Sequence, residues 1–85
     1  MTTKSVVACV DDLFFRSKID ATARHLDVNV RFADAAGLPK ACGQAGTAAL
    51  LIELSDNGTP LAAVRSLRQA RATQELPVIG FLSHV

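Results

Sequence analysis

Three carboxylates and a hydroxyl stand at or near the ends of apolar runs in this sequence. Asp11 and Asp12 close the run Ser5-Val6-Val7-Ala8-Cys9-Val10. Glu53 lies near the end of Ala48-Ala49-Leu50-Leu51-Ile52-Glu53-Leu54, and Ser83 follows Pro77-Val78-Ile79-Gly80-Phe81-Leu82. If the runs are neighbouring strands of one sheet, Asp11, Asp12 and Glu53 form an acidic pocket. Such carboxylates repel one another unless a basic group or a cation joins them. A hard cation such as Mg²⁺, which takes one or two carboxylates and keeps several waters, suits that pocket and would bind weakly. The same residues have a purely structural reading, in which Asp11 and Asp12 cap the helix that follows and Glu53 points to solvent. Both readings stay open on the residues alone.

Other chemistry-bearing residues are sparser. His84 is a lone histidine near the last residue, and His25 falls at the end of a helical pattern, where the helix dipole accounts for it. Cys9 and Cys42 are too few for a disulfide framework and lack metal-ligand spacing, which predicts reduced thiols in a cytoplasmic protein. Arg65, Arg68 and Arg71 form a drifting basic stripe, expected as a solvated helix face. No aromatic platform accompanies them, and the net charge is only +1, so nucleic acid is not an expected partner. Glycine-rich phosphate loops, nucleophile elbows and Cys/His clusters are absent from the sequence. The short run between Lys4 and Asp11 is too brief for a signal peptide or a membrane span.

The elements that must position these residues are legible from hydrophobic periodicity. With 85 residues, 49% hydrophobic and 20% charged, the chain holds at most one core. The unbroken apolar runs at 5–10, 48–54 and 77–82 fit strands of a parallel sheet buried on both faces. The alternating Val28 to Ala33 fits a strand nearer an edge. Phe15, Ile19, Ala23 and Leu26 mark the inner stripe of a helix over 13–26. Gly37, Pro39, Gly43 and Gly46 restrict the next helix to about 38–45, behind a capping Asp34. Ser55-Asp56-Asn57-Gly58 reads as a turn, with Asp56 as a helix-entry residue. Thr59-Pro60 then opens a helix to about Gln74, with Leu61, Val64, Leu67 and Ala70 or Arg71 inward. The pattern βαβαβαβ with short connections is a single α/β domain.

Across nearly its whole length the chain resembles a response-regulator receiver domain, the CheY-like family. The resemblance is carried by Val10-Asp11-Asp12 after the first strand, Leu50-Leu51-Ile52-Glu53-Leu54 in the third, and Leu76-Pro77-Val78-Ile79 opening the fourth. Asp11-Asp12-Leu13-Phe14-Phe15, with Gly80-Phe81-Leu82-Ser83-His84-Val85, looks like a divergent subgroup of stand-alone receiver-like proteins. The resemblance implies a flavodoxin-like sheet of order 2-1-3-4, with the family's fifth strand missing. It also implies an Mg²⁺ pocket in which Asp12 is a direct ligand, and an aspartate that accepts a phosphoryl group from a histidine kinase.

Two departures govern the functional expectation. Glu53 stands where the family has its phosphoacceptor aspartate, longer by a methylene, about 1.5 Å of reach. In-line phosphoryl transfer depends on the placing of the acceptor oxygen, so the longer side chain is costly. Ser83 falls near the family's switch Ser/Thr, and no residue takes the role of the family's fifth-strand lysine. The expectation is a non-enzymatic pseudo-receiver that engages a protein partner. Its alternative is an active receiver with Mg²⁺ held by Asp12, Asp11 and Glu53. The resemblance also leaves the fourth strand at an edge, so a homodimer through that edge is expected.

Overall fold

The computed structural model describes residues 4–44, 46–54 and 59–82. Four strands, β1 (Ser5–Cys9), β2 (Asn29–Phe32), β3 (Thr47–Leu54) and β4 (Val78–Leu82), alternate with α1 (Leu13–His25), α2 (Leu38–Cys42) and α3 (Thr59–Gln69). All strand pairs are parallel and the order is β2-β1-β3-β4, a flavodoxin-like topology. Cys9 lies opposite Ile52 in the register, so the ends of β1 and β3 come together, and the loop after β1 meets Glu53. Ser83, His84, Asp56 and the rest of the expected turn at 55–58 lie outside the described residues.

The core sits on one side of the sheet. Val7, Leu50 and Ile52 pack with Leu38 and Cys42 of α2 and Leu67 of α3. Arg31 ties this layer together from β2. Its guanidinium donates to Thr47 Oγ1 at 2.8 Å, to the Ala41 carbonyl at 3.5 Å and to Gln44 Oε1, fastening the end of α2 to the start of β3. Its Nε is buried with no partner among the described residues, a cost that the clamp must offset.

Four helix features differ from the sequence expectation; the first is that α2 ends at Cys42, with Gly43 as its C-cap, rather than near residue 45. α3 ends at Gln69 rather than near Gln74 because Thr73, only 3% exposed, folds back and donates its hydroxyl to the Leu67 carbonyl at 2.6 Å. Arg68 then donates to the carbonyls of Gln74 and Leu76, both at 2.8 Å, shaping the turn into β4. Leu61 is 59% exposed, since α3 turns Ala63, Val64 and Leu67 inward. On α1, Ala23 is buried and Phe15 and Ile19 are half-buried, but Leu26 is the C-cap and 64% exposed. There Asp27, at φ 58°, takes the left-handed position of a Schellman motif. The Val28 N–H donates to the Ala23 carbonyl at 2.8 Å and the Asp27 N–H to that of Arg24 at 3.2 Å.

Candidate functional site

The β1–α1 turn and the end of β3 bring Asp11, Asp12 and Glu53 to one place. Val10 is buried, and the chain must turn immediately after it to enter α1. Asp12 makes that turn as the N-cap: its Oδ1 accepts from the N–H of Phe14 at 2.8 Å and of Phe15 at 3.3 Å. This satisfies two of the four unpaired donors at the start of α1. The backbone N–H groups of Asp11 and Asp12 point the other way, across to β3. Glu53 Oε1 accepts the first at 2.9 Å and the second at 3.4 Å. The extra methylene of glutamate thus carries its carboxylate across the strand gap onto the loop. The turn is an anion cradle, and the anion in it is the protein's own.

These contacts decide how the three acids fit a metal. Asp12 presents an oxygen to the helix, and Glu53 presents one to the backbone of the loop. Among the described residues no group of three or more His, Cys, Asp or Glu side chains is arranged to hold a metal ion. In this arrangement Asp12 and Glu53 each have one carboxylate oxygen engaged with backbone N–H groups of the turn. The helix-cap reading of Asp12 accounts for its placement, whereas the solvent-facing reading of Glu53 does not.

The sequence pointed less clearly to the groups beside the cradle. The Arg16 guanidinium sits over the Phe32 ring, 4.8 Å from its centroid. With Val10, Asp11, Ala33 and Asp34 these two residues line a cavity of about 200 Å³ at the ends of β1 and β2. Arg16 reads only as a polar position off the helix stripe, and its pairing with Phe32 needs the β1–β2 register, which no local pattern contains. Asp34 does not cap α2, whose N-cap is Gly37; its Oδ1 accepts from the Gly37 N–H at 2.8 Å and closes the turn before the helix. On the other flank Phe14 is exposed, meets Phe15 edge-on at 6.3 Å and carries the Lys18 ammonium 4.6 Å above its ring. Phe15 in turn packs against Phe81, with centroids 5.9 Å apart, linking the start of α1 to the end of β4.

Both thiols lie close to this region in sequence or core and both are held protonated. Burial pushes the Cys9 thiol above its ordinary 9.0, and the charges of Asp11 and Asp34 push it further. Burial also raises Cys42, partly opposed by the Arg31 guanidinium. Both cysteines are free rather than disulfide-bonded, in keeping with the expected reduced state. Neither is a candidate nucleophile.

No helix among the described residues is long and apolar enough to cross a membrane. Set against protein-family models, curated proteins and solved structures, the chain matches none of them. Fold and site geometry are therefore the grounds for a functional reading.

Proposed function

We propose that this chain is a receiver-like interaction module of signal transduction, one that binds a protein partner and does not carry a phosphoryl group. The single observation behind this reading is the 2.9 Å hydrogen bond from the Asp11 N–H to Glu53 Oε1. In the receiver domains that the chain resembles, an aspartate at this position receives the phosphoryl group. Here the carboxylate is already drawn onto the donors of the β1–α1 turn, holding negative charge where a phosphoryl group would sit. A nucleophile committed in this way is poorly placed for in-line attack.

The partner surface in this reading is the rim of the cradle. Leu13 and Phe14 are exposed beside the acids, with Lys18 over the Phe14 ring. Exposed aromatic and aliphatic groups next to fixed charges are the composition expected of a protein-binding patch. Glu53 also fixes the loop that presents them, so its charge and the shape of the surface are linked. The partner is a protein of a signalling pathway, a kinase or a downstream component.

The test is incubation of the protein with Mg²⁺ and a small phosphodonor, followed by intact-mass measurement. The wild type should show no adduct, and Glu53→Asp, which shortens the side chain to the family's length, should gain one. A stoichiometric phosphoryl adduct on the wild type would overturn the proposal in favour of an active receiver.

A further inference from the structure

The corner where β1 and β2 end holds a second arrangement of charge, apart from the cradle between β1 and β3. β2 ends at Phe32, and the Ala33 N–H still donates to the Ala8 carbonyl at 3.0 Å, so Asp34 leaves the sheet beside the loop that begins at Asp11. α1 lays the Arg16 guanidinium on the Phe32 ring at the same corner. These residues, with the buried Val10, enclose the cavity of about 200 Å³.

The cavity has a positive and a negative pole that do not meet. Among the described residues Arg16 forms no ion pair with Asp11 or Asp34, and its guanidinium donates to no acceptor. A rigid fork of N–H donors is thus half-buried against a ring and left unused. At the other pole Asp34 Oδ1 is bonded to the Gly37 N–H, which holds that carboxylate still, and the Asp11 carboxylate accepts nothing among the described residues. The two acids act on one place. The Cys9 thiol at the end of β1 is raised first by burial and then by the charge of each.

We propose that this cavity binds a small zwitterion, an amino acid whose carboxylate lies along the Arg16 guanidinium and whose ammonium is received by Asp11 and Asp34. Charge selects this class over simpler ones. An inorganic oxyanion or a plain carboxylate would satisfy the guanidinium and be repelled by two acids, whereas a metal ion or a plain amine would suit the acids and be repelled by Arg16. A molecule carrying both groups turns each repulsion into charge-assisted hydrogen bonds, bidentate at the guanidinium. Size agrees. A volume of about 200 Å³ is the liquid share of roughly seven waters, which limits the ligand to about that many heavy atoms. Glycine, alanine and serine fit, with Val10, Phe32 and Ala33 beside the short side chain; a nucleotide or an aromatic amino acid does not. The site goes beyond the partner-binding reading and does not depend on it. Asp11 links the two, because its N–H is the one bonded to Glu53.

The test is a titration of the 85-residue chain with glycine, L-alanine and L-serine, read by its backbone ¹H–¹⁵N correlation spectrum, with acetate and methylammonium as single-charge controls. At least one amino acid should saturate shifts of the Asp11, Ala33 and Asp34 amides by about 10 mM, with acetate and methylammonium roughly tenfold weaker or more. Arg16→Gln and Asp34→Asn should each weaken binding roughly tenfold or more, while the amides of β3 and β4 keep their positions and show that the fold is retained. Asparagine keeps an acceptor for the Gly37 N–H, so Asp34→Asn removes charge without opening the turn. The absence of saturable shifts with all three amino acids would overturn the inference. So would acetate or methylammonium binding as tightly as the amino acids, the mark of a single-charge site, or binding indifferent to both substitutions.

Discussion

At the scale of single residues, two carboxylates divide the work of one turn. Asp12 holds the first N–H groups of α1, and Glu53 holds those of the loop before it. Asp12→Ala should therefore cost about 0.5–2 kcal/mol, the usual loss for an N-cap. Glu53→Ala should cost about 0.5–1.5 kcal/mol, the net worth of the hydrogen bond that the exposed loop N–H groups then make to water instead. Chemical denaturation of the two variants checks both values. The thiols give a pH prediction. Below the ordinary thiol value both folded and unfolded chains are protonated, so Cys9 and Cys42 contribute no pH dependence there. As pH rises past 9.0 the unfolded chain releases its thiol protons first, because the folded values are raised, and stability falls. Cys9→Ala and Cys42→Ala variants, compared over pH 8 to 11 by thermal unfolding, should each show a shallower alkaline decline.

At the scale of elements, anchoring is unequal. Leu38 is fully buried between α2 and the sheet, so Leu38→Ala should cost about 2–5 kcal/mol. Ile19, half-buried on α1, should cost less, and Leu26→Ala close to nothing in the monomer. Denaturant midpoints should fall in that order. Asp27 offers the opposite sign: at φ 58° glycine adopts the backbone without a Cβ penalty, so Asp27→Gly should raise stability by about 0.5–1 kcal/mol. Periodicity and composition were enough to find all seven elements and their order along the chain. The end of α3 and the outward turn of Leu26 at the end of α1 were not legible because they depend on particular contacts. Thr73 reaches back to Leu67, and Asp27 turns left-handed so that Val28 can bond Ala23. The stripe through Leu61 failed for a related reason: on a short helix with four apolar candidates, the choice of inner face belongs to α2 and the sheet.

At the scale of the molecule, the sheet order puts the ends of β1 and β3 side by side, and that adjacency makes a site from residues some forty positions apart. The meeting of Asp11, Asp12 and Glu53 was legible from their positions at the ends of apolar runs. What each carboxylate does there was not, because it turns on which backbone donors lie within reach of a side chain one methylene longer than aspartate. The fate of the acids follows from that reach. A glutamate bound to the loop supplies fixed negative charge and a fixed surface. The measurement that addresses this account most directly is the backbone ¹H–¹⁵N correlation spectrum of the wild type against Glu53→Ala. The Asp11 amide should show the largest change, moving upfield as it loses its carboxylate acceptor, with Asp12 next and the amides of β2 nearly still. An Asp11 amide that keeps its position when Glu53 is removed would contradict the account, because the loop donors would then be bound by something other than this side chain.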